Sequence, residues 1–217
     1  MRQRVISLFA ALCLVLALQL PALAAEEYID MPQEGAWSYE PLTAAVENGL
    51  LQGSDGLLQP SGSLTRAQLA AILVRAFGAT EEAALSFSDV TDSKWFAADV
   101  ANAVALGVFG GAGGQMRPND PLTRQETFVV LARALCLEDG TAEDLSAFTD
   151  ADQVSAWAVP EVAAMVSAGY VKGSGGALNP LGNITRAEFA QVMYSVVQSY
   201  ITQAGTYETV AEGTVVV

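Results

Sequence analysis

Thr185-Arg186-Ala187-Glu188-Phe189-Ala190-Gln191-Val192-Met193 is the stretch on which the fold turns, because the chain writes its opening three times. Thr123-Arg124-Gln125-Glu126 and Thr65-Arg66-Ala67-Gln68 are the other two copies. A threonine followed three residues on by Glu or Gln is a capping box: each side chain satisfies a backbone N–H of the other at a helix start. Apolar residues then recur at helical spacing, as Leu69, Ile72, Leu73, Ala76 and Phe77 in the first copy and Phe189, Val192, Met193 and Val196 in the third. These helices are apolar over so much of their surface that they belong at the centre of the fold.

The same landmarks recur upstream of each arginine. A proline stands six residues before it (Pro60, Pro118, Pro180) and a glycine seventeen before (Gly49, Gly107, Gly169). Four residues beyond that glycine is another, Gly53, Gly111 or Gly173, and twelve residues before it is a tryptophan, Trp37, Trp95 or Trp157. Further upstream lies aromatic-x-Asp: Tyr28 and Asp30, Phe87 and Asp89, Phe148 and Asp150. Fixed spacing over three copies marks internal repeats.

Each copy reads as helix, loop, helix. The first helix starts near the tryptophan, with Pro41 and Pro160 suited to the first helical position. It ends at Gly49, Gly107 or Gly169, which suit a left-handed cap. One copy cannot bury its second helix alone, whereas three around a common axis can. The pattern predicts an all-α domain over 25–200, with repeats at about 28–79, 87–137 and 148–199 folding as one cooperative unit. The linkers fall at 79–86 and 138–147.

The start of the chain reads differently. Arg2 and Arg4 precede an almost wholly apolar run from Val5 to Leu20, then Pro21 and the small-x-small site Ala22-Leu23-Ala24. This predicts a secretory signal peptide over 1–24. The run is short for a membrane span, which needs about 20 apolar residues. Cys13 lies inside that run, so a lipoprotein anchor is not expected. Removing Arg2 and Arg4 from 10 basic residues leaves 8 against 24 acidic ones, a net charge of −16. That balance argues against nucleic acid or an anionic lipid surface as partner. Only Cys136 survives cleavage, so no internal disulfide can form.

Catalysis has little to build on. The chain has 0 histidines, so Ser–His and Cys–His pairs are excluded and no metal-ligand cluster is expected. Gly110 to Gly114 lacks the Gly-Lys-Ser/Thr of a phosphate loop. Asp150 and Asp152 do not continue into a calcium loop. No cofactor is expected. Carboxylates are abundant because the chain is acidic, and so identify no glycosidase.

The arginines are the unusual feature. Each sits at the first helical position, where the macrodipole already presents positive charge. Guanidinium and helix-start N–H groups together can hold an anion. The other reading is an internal salt bridge to Asp30, Asp89, Asp150 or another acidic neighbour. The tryptophans offer sugar-stacking faces or core anchors, and the core reading is preferred for a large aromatic. The glycines permit close ligand approach or positive φ at a helix end.

Aromatic-x-Asp, Trp, Gly-x-x-x-Gly, Pro and Thr-Arg-Ala-Glu in this order resemble the S-layer homology (SLH) domain, from about Tyr28 to Val196. Copy one departs from the usual motif at Gln68 and Tyr28, and copy two at Gln125. The resemblance implies a pseudo-threefold, three-pronged helical bundle. It also implies non-covalent anchoring of a secreted protein to the bacterial wall through an anionic, peptidoglycan-linked secondary polysaccharide, often pyruvate-ketal-bearing. Binding would lie in the inter-prong grooves. By that resemblance the polysaccharide-binding residues are Arg66, Arg124 and Arg186, Gly49, Gly107 and Gly169, Asp30, Asp89 and Asp150, and Trp37, Trp95 and Trp157. Arg186→Ala is then expected to weaken wall binding and spare the fold. The rival readings are a wall-attached enzyme or a surface-lattice protein whose effector domain lies outside this chain.

Beyond Tyr200, Gly205-Thr206-Tyr207-Glu208-Thr209-Val210 and Glu212-Gly213-Thr214-Val215-Val216-Val217 read as short strands. They are expected to form a β-like tail over 201–217, the start of a β-rich module.

Overall fold

The computed structural model describes residues 28–212. The expected signal segment lies outside the described residues. Among them are three helix pairs: α1 (Tyr39–Glu47) and α2 (Arg66–Phe77), α3 (Ala97–Ala105) and α4 (Arg124–Ala134), α5 (Val159–Ser167) and α6 (Arg186–Glu212). Two short 3-10 turns, Ala142–Leu145 and Ala151–Gln153, lie between α4 and α5. No helix among the described residues is long and apolar enough to cross a membrane.

The local signals act as the sequence implies. Thr65 Oγ1 accepts from the Gln68 N–H at 3.3 Å while Gln68 Oε1 accepts from the Thr65 N–H at 3.0 Å. Thr123 with Glu126 and Thr185 with Glu188 repeat this box. Helices α1, α3 and α5 run out into Gly49, Gly107 and Gly169, at φ of +68°, +74° and +75°. Pro41 and Pro160 fall third and second in their helices rather than first. Both still occupy the first turn, whose N–H groups have no intrahelical acceptor.

The three copies close into a ring through backbone groups. The Leu64 N–H donates to the Ile184 carbonyl at 3.0 Å, Ile184 to Leu122 at 3.0 Å, and Leu122 back to Leu64 at 2.9 Å. All three side chains are fully buried. The next N–H groups of each second helix also cross a repeat boundary. Arg66 and Ala67 donate to Asp120 and Pro118, Arg124 and Gln125 to Gly182 and Pro180, Arg186 and Ala187 to Gly62 and Pro60. Donors that a helix start leaves orphaned are thus satisfied by the neighbouring copy.

Packing follows the same rotation. α2 lies against α3, α4 against α5, and α6 returns to α1. Each prong therefore combines the second helix of one copy with the first helix of the next. One contiguous apolar cluster runs through all three copies, with Leu69, Ile72, Phe128, Leu131 and Phe189 at its centre.

The second glycine of each motif has a steric cause. A Cβ at Gly111 would overlap the Gln115 carbonyl oxygen and the Phe87 ring, and one at Gly53 would overlap the Leu57 carbonyl and the Tyr28 ring. The loop folds back against the motif aromatic, and only glycine leaves room.

The C-terminal segment differs from its expected β character. α6 continues through Glu212, so 201–212 is helical, and residues 213–217 lie outside the described residues. Extending a formed helix costs far less than nucleating new structure. A short hairpin without a partner sheet is marginal by comparison.

Candidate functional site

Arg66, Arg124 and Arg186 do not lie on the surface. They are 8 %, 9 % and 7 % exposed, and each reaches across to the loop of the next copy. Arg66 Nε donates to the Met116 carbonyl at 2.8 Å and Nη2 to Gly110. Arg124 Nε donates to Leu178 at 2.7 Å. Arg186 Nε donates to Leu58 at 2.7 Å and Nη2 to Gln52 at 2.7 Å, closing the cycle onto the first copy. The expectation that these arginines contribute little to folding is therefore corrected: they staple the copies together. The helix-start N–H groups at Arg66, Arg124 and Arg186 are also spent on neighbouring carbonyls, so they are not free donors for an anion.

Asp30, Asp89 and Asp150 form no salt bridge with these arginines. Each carboxylate accepts from two successive backbone N–H groups at 2.7–2.8 Å: Leu58 and Gln59, Met116 and Arg117, Leu178 and Asn179. Gln59, Arg117 and Asn179 hold left-handed backbone at φ of +55°, +54° and +52°. Such a conformation is costly for a non-glycine residue and needs an external restraint. The carbonyls of Leu58, Met116 and Leu178 are the acceptors for the arginine Nε groups. Aspartate, loop peptide and arginine thus form one relay per boundary.

The backbone hydrogen bonds from Met116 and Leu178 hold the Asp89 and Asp150 carboxyls below the usual carboxylate range. A folded-state pKa below the unfolded one stabilises the fold above the unfolded value, and that contribution is lost as pH falls through the folded value. Melting temperature is expected to fall as pH drops below about 4, the ordinary aspartate range. The double variant Asp89→Asn/Asp150→Asn should melt lower at neutral pH and lose less on acidification. Parallel melting curves for parent and variant across pH 2–6 would contradict this reading.

The tryptophans correct another expectation. Trp37, Trp95 and Trp157 are 62 %, 67 % and 53 % exposed, so they are not core anchors. Each stands just before a first helix, at the rim of a prong. The core positions there are filled instead by Phe96, against which Trp95 packs edge-on with centroids 5.4 Å apart, and by Ala158. Gly49, Gly107 and Gly169 face open space where a Cβ would be, which is consistent with their role as helix ends.

The boundaries differ in charge. Arg66 Nη1 lies 3.9 Å from Glu126 Oε1, and Arg124 Nη1 lies 2.9 Å from Glu188 Oε1. Arg66 and Arg124 also stack over the Phe109 and Phe128 rings at 5.0 and 5.3 Å. The salt-bridge reading of the arginines is thus realised at two boundaries, with the capping glutamate of the next copy as the partner. Gln68 stands at the corresponding position of the first copy and lines the same cavity as Arg186. Among the described residues, no carboxylate lies within 4.0 Å of Arg186.

Arg186, Gln68, Arg75 and Trp95 line a cavity of about 290 Å³ with residues 51–54 and 57–59 of the first copy's loop. No acidic side chain lines it, in a chain with 24 acidic residues. Arg186 and Trp95 are the sequence-identified candidates brought together here. Gly53 rather than Gly49 forms the wall, and Asp30 stays outside. Arg75 was not singled out from the sequence, although a second arginine on α2 stands out among so few basic residues. Among the described residues, no group of histidine, cysteine and carboxylate side chains is placed to hold a metal.

Comparison with known proteins agrees with this architecture. The S-layer homology domain model matches residues 28–70, 86–128 and 147–190. The Surface-layer 125 kDa protein of Lysinibacillus sphaericus is 31% identical over 196 residues, covering 88% of this chain and 16% of that protein. Exoglucanase XynX of Acetivibrio thermocellus is 30% identical over 168 residues, 75% of this chain and 16% of the enzyme. The Cellulosome-anchoring protein of the same species is 31% identical over 144 residues, 61% of this chain and 32% of that protein. This chain thus spans less than a third of each of these relatives. With three matched repeats and the ring that joins them, the chain belongs to the S-layer homology domain family.

Proposed function

We propose that the chain is a non-catalytic anchor that holds a surface protein to the bacterial cell wall by binding an anionic, carboxylate-bearing wall polysaccharide in its inter-repeat grooves. The observation that carries this reading is the cavity bordered by Arg186, Arg75 and the exposed Trp95, without an acidic side chain, in a strongly acidic chain. A guanidinium matches a carboxylate in two parallel hydrogen bonds. A pyruvate ketal supplies such a carboxylate, rigidly attached to a sugar ring. An exposed indole offers an apolar face to that ring. S-layer homology repeats place the chain at the cell wall or surface, as do the surface proteins among its relatives.

A relative named as an exoglucanase matches over the repeat-bearing chain and only a small share of its own length. The common element is thus an anchoring unit joined to different partners. Sedimentation with purified wall sacculi tests the function. The chain should pellet with intact sacculi and stay in solution after hydrofluoric acid has stripped the secondary polymer. Equal pelleting with both preparations would refute the polysaccharide reading.

A further inference from the structure

Each prong pairs two helices and leaves a flank for further chain to cover. Among the described residues, two of the three flanks are covered. The chain turns away from α2 at Gly78 and from α4 at Cys136, both twelve residues beyond the motif arginine. Both are left-handed, at φ of +62° and +51°. From there the chain doubles back over the first helix of the next copy. The Ala83 N–H donates to the Ala101 carbonyl of α3 at 3.1 Å, and the Gly140 N–H to the Pro160 carbonyl of α5 at 2.9 Å. Leu85 packs against the core and Leu145 is 1 % exposed. Gly140 lies so close to α5 that a Cβ there would overlap Ala163 and the Ala164 backbone.

The third prong, α6 with α1, is different. Gln198 stands at the stop position, and α6 runs on through it to Glu212. The first copy also lacks a leucine just before its motif aromatic. It has Ala25-Glu26-Glu27 where the others have Ala84-Leu85-Ser86 and Leu145-Ser146-Ala147. A cavity of about 290 Å³ opens on this prong, with Pro41, Ala44 and Ala45 of α1 on one wall and Tyr194, Val197 and Ile201 of α6 on the other. Ala44 is the counterpart of Ala164, each seven residues after its tryptophan. Val197 is only half-buried, whereas its counterparts Phe77 and Leu135 are buried, and Ile201 is 59 % exposed.

Pattern and charge say what fits there. Ala190, Tyr194, Val197 and Ile201 all line the cavity and follow one another at spacings of four, three and four. That is the seam by which helices pack side by side. No Asp, Glu, Lys or Arg occurs between Glu188 and Glu208, in a chain with 24 acidic residues. This stretch therefore admits a second copy of itself without the like-charge repulsion that opposes close approach elsewhere. Arg75 is the one charged residue among those lining the cavity, and it already donates to the Leu50 carbonyl. Residues 213–217 cannot fill the groove. Fully extended they span about 17 Å, no more than the helix from 202 to 212, so they return only as far as Ile201. We infer that the α1–α6 prong is a self-association surface. Two copies pair about a two-fold axis, each seating Tyr194, Val197 and Ile201 in the other's groove to make a four-helix bundle. A pair would present two sets of repeats to one wall surface and gain avidity.

Sedimentation velocity of the chain recovered after secretion, with no wall present, tests it. The expected result is a dimer that dilution converts to monomer. Ile201→Asp should weaken association by about tenfold or more, because it sets two carboxylates against each other across the axis. Its monomer should melt with the monomeric parent, since this side chain lies largely in solvent. Ala44→Lys, on the facing wall, should weaken association likewise. Ile29→Asp is the control: Ile29 is 83 % exposed and lies outside the cavity, so this variant should stay dimeric. A dimer that Ile201→Asp leaves intact, equal loss in Ile29→Asp, or open-ended oligomers would each overturn the assignment. A monomer at every concentration would overturn it too, and leave the groove to residues 25–27 or to a different polypeptide. Sacculi play no part in this measurement, so its failure leaves the anchoring reading standing.

Discussion

Ending the chain at Leu135 is expected to abolish cooperative folding altogether, although that fragment keeps two complete copies of the motif. The cut removes Ile184, so the central ring loses two of its three hydrogen bonds. The buried Leu64 N–H and Leu122 carbonyl are left without partners. Each unsatisfied buried backbone group costs about 1–3 kcal/mol. α4 loses α5 and α1 loses α6, so the apolar faces that those helices cover become exposed. A fully buried Leu, Phe or Ile side chain contributes about 1.5–3 kcal/mol. Uncovering only a few of them exceeds the roughly 5–15 kcal/mol by which a domain is stable. Circular dichroism on heating and size-exclusion chromatography read the outcome. A sharp melt from a monomer would show that two copies form a core unaided, against the cyclic packing.

The parts of this fold that the sequence announced are those encoded locally. Thr65, Thr123 and Thr185 with their partners three residues on mark helix starts wherever they occur, and Gly49, Gly107 and Gly169 mark helix ends. Threefold repetition turned these weak local signals into an architecture. What the sequence hid was decided across boundaries. The acceptors of the arginine Nε groups are backbone carbonyls 50, 54 and 128 residues away, and a carbonyl has no residue identity to read. Arg186 donates to the Leu58 and Gln52 carbonyls of the first copy, so its environment is set by that loop rather than by its own motif. The departure at Gln68 was visible as a letter, whereas its place beside the same cavity as Arg186 follows from the return of α6 to the first copy.

The tryptophans show a different limit. Hydrophobicity and size favour burial on average, but the rim of each prong has no second layer to cover an indole. The tail reflects competition between local composition and continuation. Thr206, Tyr207, Thr209 and Val210 favour strands, yet they follow directly from an established helix that is cheaper to extend.

Arg124→Ala is expected to lower stability by about 3 kcal/mol, the scale of a lost charged hydrogen bond plus the carbonyl it leaves unsatisfied. For a domain of this size that corresponds to a fall in melting temperature of about 6–12 °C. The truncation removes three contacts at once. The Leu178 carbonyl loses its Nε donor, Glu188 loses its partner at 2.9 Å, and the Phe128 ring loses the cation above it. Glu188 is partly open to water, so its stranded charge can be rehydrated and adds less than a fully buried one would. Arg124→Lys discriminates between charge and shape. An ammonium can still pair with Glu188, but it lacks the planar fork that satisfies Leu178 and Glu188 together. Its melting temperature should therefore fall between those of the parent and the alanine variant. If the arginines served only a ligand, both variants would melt with the parent and only wall binding would change. That result would return Arg124 to a purely recognition role and remove the relay from aspartate through the loop peptide as a source of stability.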